Sequence, residues 1–234
     1  ARPDHDAFNV KVTDVLARAA GAVGTRFAEQ PDLECAVRNL LGGTYKELGL
    51  FDEAAVQFEL QLDTLRRIAP PGDSRIPEAL CAYANLMAKR NRPQKAIELS
   101  REALALLDSQ PSAPARTRLA LTSTLGAALQ FLQLHDEAVP ILLETLHLQE
   151  ELLGPDAEDT LSTMSQIGGS LVARKRLADA EALYRDMIER SRRAYGVAHP
   201  ATLSAMNGLT SVLVRRENFD DAVPVAKEMA EVAS

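Results

Sequence analysis

The side chains from which chemistry could be built in this sequence are four histidines, two cysteines, two glycine pairs and several arginine clusters. His5, His135, His147 and His199 never fall at the i, i+4 spacing that sets two imidazoles on one helix face for zinc, so no metal is expected. Cys35 and Cys81 lack the short paired spacing of a metal knuckle or a redox motif. With no cation evident beside either one to lower its pKa, both read as buried structural thiols. Gly42-Gly43 and Gly168-Gly169 lack the following Lys-Ser or Lys-Thr of a phosphate cradle and read as helix packing positions. Neither a Gly-x-Ser-x-Gly elbow nor a His-Glu-x-x-His helix occurs, and Glu150 and Glu151 sit side by side instead of facing across a cleft. No catalytic residue and no cofactor is therefore expected, and the chain is not read as an enzyme.

The clusters Arg66-Arg67, Arg174-Lys175-Arg176, Arg192-Arg193 and Arg215-Arg216 fall mostly at expected helix C-termini, where cations complement the helix dipole. A net charge of −7, from 33 acids against 26 bases, argues against nucleic acid as a partner, because phosphate backbones call for clustered excess cations. No apolar run reaches the roughly 18 residues of a membrane span, so direct insertion is not expected. With no tryptophan and 4% aromatic residues in 234, few large side chains exist to fill a thick core, and a thin helical array fits better. The chain opens at Ala1 with neither an initiator methionine nor a signal-peptide pattern, which suggests a piece of a longer protein or a trimmed chain.

What must position these residues is a repeat. Ala54, Ala96, Ala138, Ala180 and Ala222 are each separated by 42 residues, and twelve residues before each stands Gly42, Ala84, Gly126, Gly168 or Thr210. Small residues paired in this way mark close helix crossings, so each unit is a helical hairpin in which, for example, Ala138 is expected to touch Gly126. In the turn Leu48-Gly49-Leu50-Phe51-Asp52-Glu53, Gly49 is expected in the left-handed conformation and Asp52 as the cap of the next helix. Breakers recur between units: Pro70-Pro71-Gly72, Pro111 with Pro114, Gly154-Pro155, and Gly196 with His199-Pro200. The expected map is an irregular segment and capping helix over 1–31, the helix opening at Thr13. Five hairpin repeats follow at about 32–73, 74–113, 114–156, 157–199 and 200–234, giving eleven helices and no strand.

Gly42, Tyr45, Gly49, Ala54 and Phe58 in the first unit, and Gly168, Leu171, Ala180 and Tyr184 in the fourth, resemble the tetratricopeptide repeat. The 42-residue unit, with Gly154 to Leu161 and Gly196 to Leu203 between helices, is similar to the kinesin-light-chain type of array. That resemblance implies an all-α, right-handed α-solenoid that is a non-catalytic scaffold for a protein or peptide. Ser100, Ala226 and Pro93 depart from the motif, so their units are expected to be looser. The stretches Val10–Ala20 and Phe27–Asp32 resemble the lead-in to the repeats behind bacterial serine/threonine protein kinase domains. This second resemblance implies a regulatory module with a catalytic domain outside the chain. A cytoplasmic location is expected, or an extracytoplasmic one if the chain derives from a membrane-anchored kinase.

In such an array the first helix of each unit lines a concave groove through positions 2, 5, 9, 12 and 13. Asn39, Lys46, Asn85, Lys89, Gln130, Phe131, Asn207 and Arg215 are the candidate partner-binding residues. Asparagines there can hold a peptide backbone, since an amide donates and accepts at once. The cations and Phe131 point to an acidic segment with a hydrophobic anchor. Chaperone-binding members of the family carry Lys at position 5 and Asn at position 9 of the first unit; here Asn39 and Gly43 stand in those places, which argues against a chaperone C-terminus. Gln149 and Glu150 are expected on exposed outer faces.

Overall fold

The computed structural model describes residues 12–109 and 114–232, so the irregular start, His5 and Pro111 lie outside the described residues. Eleven α-helices follow in chain order: α1 (Val12–Arg26), α2 (Pro31–Glu47), α3 (Phe51–Ile68), α4 (Arg75–Lys89), α5 (Pro93–Asp108), α6 (Ala115–Phe131), α7 (His135–Leu152), α8 (Glu158–Ala173), α9 (Leu177–Tyr195), α10 (Pro200–Arg215) and α11 (Phe219–Val232). No strand occurs among the described residues. The chain forms two compact units, one up to Ala113 and one from Pro114. In the first, α2 pairs with α3 and α4 with α5, while α3 packs on α4 and α1 on α2. In the second, α6–α7, α8–α9 and α10–α11 are hairpins, joined by α7 on α8, α9 on α10 and α8 on α10. The fold is an all-α helical-repeat solenoid.

Each hairpin closes through the same backbone lock. The amide of Leu50 donates to Tyr45 O and that of Gly49 to Lys46 O, and the same pair of bonds recurs at Arg92 and Asn91, Leu134 and Gln133, Arg176 and Lys175, and Asn218 and Glu217. This is the Schellman arrangement, which needs one residue with φ > 0. Gly49 (φ 74) supplies it as expected, but Asn91 (φ 56), Gln133 (φ 60), Lys175 (φ 59) and Glu217 (φ 60) do so without glycine's freedom. The turn is so short that the next helix begins one residue after the lock, leaving Leu50 at the N-cap of α3 with no side-chain cap. The expected cap, Asp52, lies inside α3 and pairs instead with Arg90 at the end of α4. Thr13 likewise lies inside α1.

Burial follows the repeat. Ala54, Ala96, Ala138 and Ala180 are fully buried and Ala222 nearly so. The small residues twelve places earlier, however, make room for a different partner than expected. A β-carbon on Gly126 would meet Leu142 Cδ2 at 2.6 Å and Ile141 next, ahead of any atom of Ala138. A β-carbon on Gly42 would likewise meet Phe58 at 2.7 Å, and one on Gly168 would meet Tyr184 at 2.5 Å. The glycine thus receives the large residue four places beyond the alanine, one helical turn on. Where that residue is Ser100, its counterpart is Ala84 with a β-carbon of its own, and both are fully buried. At this crossing size moves from one helix to the other, and the Ser100 Oγ is buried without a hydrogen-bond partner. Pro93 stands at the first turn of α5, where a missing N–H costs nothing.

Candidate functional site

The first helices carry the candidate residues, and each unit presents them differently. In the first unit, Asn39 and Lys46 of α2 share a depression of about 590 Å³ with Leu40, Gly43 and Leu48, closed by Phe58 of α3 and Ala82 of α4. Lys46 pairs with Glu47 at 3.2 Å. Lys89 does not join them: it borders a second depression beside the α2–α3 turn, with Asp52, Glu53 and Arg90. Asn85 is half-buried on α4, and its Nδ2 donates to Cys81 Sγ at 3.5 Å. Leu40, 70% exposed, and Leu48, 50% exposed, are apolar walls that sequence reasoning passed over. The signal was there, since Leu41 and Tyr45 already complete the buried stripe and leave Leu40 without a place in the core.

In the second unit, Phe131 ends α6 and is 62% exposed. Asn207 and Arg215 are exposed on α10, and neither has a hydrogen-bond or ion-pair partner among the described residues. Gln130 is placed otherwise. Its Nε2 donates to Gln166 O at 2.7 Å and to Ser170 Oγ at 2.8 Å, which ties α6 to α8 and leaves its Oε1 as the group available to a ligand.

Most of the basic clusters are engaged within the protein. Arg66 pairs with Glu102, Arg174 with Asp136, Arg192 with Glu228, Arg193 with Asp156 and Arg216 with Glu181, each joining neighbouring hairpins or the connection between them. One pair is buried, Arg38 with Glu34 at 2.7 Å on α2, where Arg38 also donates to Gln57 of α3. The histidines serve local structure: His199 Nδ1 accepts from the Ala201 amide to cap α10 while its ring stacks on Tyr195 at 4.5 Å, and His135 contacts Ser170 at 3.3 Å. Among the described residues no group of three or more His, Cys, Asp or Glu could hold a metal ion, and no helix is long and apolar enough to cross a membrane.

Both cysteines are buried and unbridged. Burial pushes the Cys35 thiol above its ordinary range and Cys81 to about 11, the latter despite the Asn85 amide at its sulfur. Two expected exposed positions are corrected. Gln149 is 6% exposed, because α7 turns it towards α6 and α8, and its Oε1 has no hydrogen-bond partner. Glu150 is half-buried and pairs with Arg190, so it is no bystander on an outer face.

No curated protein matches the chain in sequence. Among solved structures, it is similar to the nearly identical TPR-like repeats of a Podosopora anserina protein described as a kinesin light chain, at 17% identity and a TM-score of 0.71, over 88% of this chain and 97% of that one. It is also similar to BtubC (BKLC) from P. vanneervenii, at 13% identity and a TM-score of 0.67, over 94% of this chain and 88% of that one. A third likeness is to YrrB, a TPR protein with an unusual peptide-binding site, at 15% identity and a TM-score of 0.65, over 91% and 93% of the two chains. The tetratricopeptide repeat profile matches residues 117–189 and 159–233, which together span half of the 234 residues. With hairpins, turn locks and buried alanines all recurring at the 42-residue interval, the chain belongs to the tetratricopeptide repeat family, in an array of the kinesin-light-chain type.

Proposed function

We propose that the chain is a non-catalytic scaffold that binds a protein or peptide segment on the faces of its first helices. The observation that carries this reading is the depression on α2, where Asn39 and Lys46 stand beside the exposed Leu40 and Leu48. Amide, cation and apolar wall in one place suit an extended segment with acids and a hydrophobic anchor. Phe131 offers a comparable anchor surface in the second unit, and the fold shared with YrrB supports a peptide as the class of ligand. Peptides selected from a random display library, titrated by calorimetry against wild type, Phe131→Ala, Lys46→Glu and Glu189→Ala, test it. Loss of a buried aromatic anchor costs about 2 kcal/mol or more, and an exposed ion pair about 0.2–1 kcal/mol. We therefore expect Phe131→Ala or Lys46→Glu to weaken binding and Glu189→Ala, on the exposed side of α9, to leave it unchanged. Equal affinity in all four proteins overturns the assignment to the first helices.

A second reading is favoured by the lead-in residues Val10–Ala20 and Phe27–Asp32: the array docks or senses a partner for a kinase domain in the same polypeptide. The gene sequence upstream of Ala1 tests it, a kinase signature supporting the reading and an immediate start codon overturning it.

A further inference from the structure

Between α6, α7 and α8 lies a cavity of about 480 Å³, and the unpaired Gln149 lines it. Its floor offers acceptors. Ser123 Oγ donates to Leu119 O at 2.7 Å and Thr145 Oγ1 to Ile141 O at 2.9 Å, so both hydroxyl protons are taken up by their own helices and lone pairs remain for the cavity. Gln149 Oε1 is the third acceptor, and a buried acceptor left unpaired is destabilising. At the mouth stand Arg116 and Asp159, both exposed and not paired with each other. Their charges cancel, and a neutral ligand avoids the cost of stripping water from an ion.

A cavity in the equivalent position occurs 84 residues earlier, between α2, α3 and α4, and measures about 350 Å³. There the mouth residues are Asp32 and Arg75, with charges in the reverse order, and they are bonded at 2.5 Å. Arg75 is held further by Asp73. An ion pair thus joins the mouth residues of the first cavity and none joins those of the second, although the first also holds an unpaired acceptor, Gln61 Oε1.

We propose that the cavity of the second unit is a subsite for a carboxamide, the side chain of an Asn or Gln in a bound peptide. The inference rests on the peptide-binding reading and names the residue such a peptide presents here. A carboxamide puts its NH2 on Gln149 Oε1 and its carbonyl on Gln149 Nε2, two bonds that form together when the two amides meet with each NH2 opposite the other's carbonyl. Thr163, whose hydroxyl makes no bond elsewhere among the described residues, lines the wall and can add a third.

The test is an NMR titration of the full chain with propionamide, and with methylammonium and acetate in parallel. Propionamide should shift the Gln149 side-chain amide pair and the backbone amides of Ser123, Thr145 and Thr163 with saturation. Gln149→Leu and the near-isosteric Gln149→Met should abolish those shifts while keeping the helical circular dichroism of wild type. Methylammonium and acetate should leave the same signals in place. A cavity that holds water only, with no saturating shift, overturns the proposal, as does an equal response to methylammonium or persistence in both variants. Saturation of the Gln61 amide to the same degree would mean that the mouth pair selects nothing, and would overturn the assignment to the second unit. Display selection separates this inference from the one beneath it. If propionamide saturates the site and no peptide is selected, peptide binding fails; if selected peptides need neither Asn nor Gln and ignore Gln149→Leu, the subsite fails alone.

Discussion

The ring of Tyr184 lies against Gly168 so closely that a β-carbon there would sit 2.5 Å from Cζ, and a β-carbon on Gly208 of α10 would sit 2.4 Å from Cε1 of the same ring. Tyr184 is held between glycines from two hairpins and has no room to yield on either side. Overpacking costs about 1–3 kcal/mol, against the roughly 1 kcal/mol that alanine gains over glycine within a helix. Gly168→Ala should therefore lower the urea midpoint, and Gly169→Ala, whose β-carbon would meet nothing within 4 Å, should raise it. The opposite order would show that Tyr184 does not pack where it is placed.

Four of the five turn locks force a left-handed conformation on Asn91, Gln133, Lys175 or Glu217. For ordinary L-residues this costs about 1–2 kcal/mol, part of which glycine gives back as unfolded-state entropy. Gln133→Gly, Lys175→Gly and Glu217→Gly should each stabilise by about 0.5–1 kcal/mol in chemical denaturation, with Asn91→Gly gaining less because asparagine tolerates the region. Gly49→Ala should go the other way.

Burial keeps the Cys81 thiol protonated until about pH 11. Alkylation of native protein by iodoacetamide should therefore stay slow at pH 8–9 and accelerate only above it. In the unfolded chain the thiol titrates near about 8.5, so its contribution to stability is complete below that pH and lost as pH rises towards 11. Cys81→Ala should flatten that part of the alkaline loss seen by urea titration at pH 8 and 10.5.

Asp73 behaves in the opposite sense. The Arg75 side chain, and then the Arg75 backbone amide at 2.9 Å, hold its carboxyl below the usual range. A depressed carboxyl contributes above its unfolded pKa of about 3.9 and ceases to as pH falls through its lower folded value. Asp73→Asn should thus be less stable than wild type at pH 7, and the gap should close by pH 2.

The period was legible because Ala54 and its four counterparts are buried at the crossing, and the first helix of every hairpin begins within two residues of where the spacing opens its unit. Gly208 was not legible: its neighbour Tyr184 comes from the preceding hairpin, a contact that no spacing inside one unit encodes. Gln149 and Gln130 escaped for the same reason, since a glutamine reads as surface until the helix across from it is known to be α8. Asp52 has the residue type of a cap, but the lock at Leu50 leaves the helix no place for one.

The turn locks are built from backbone alone, and their left-handed residues in the second unit, Gln133, Lys175 and Glu217, all face solvent. Because hairpin packs on hairpin in sequence there, an applied stretch divides over the interfaces as it would along springs in series. Dyes on cysteines introduced at 133 and 217 would act as a built-in strain gauge, with the buried native thiols too slow to compete for label, and would report the elasticity of this part of the array in ångströms.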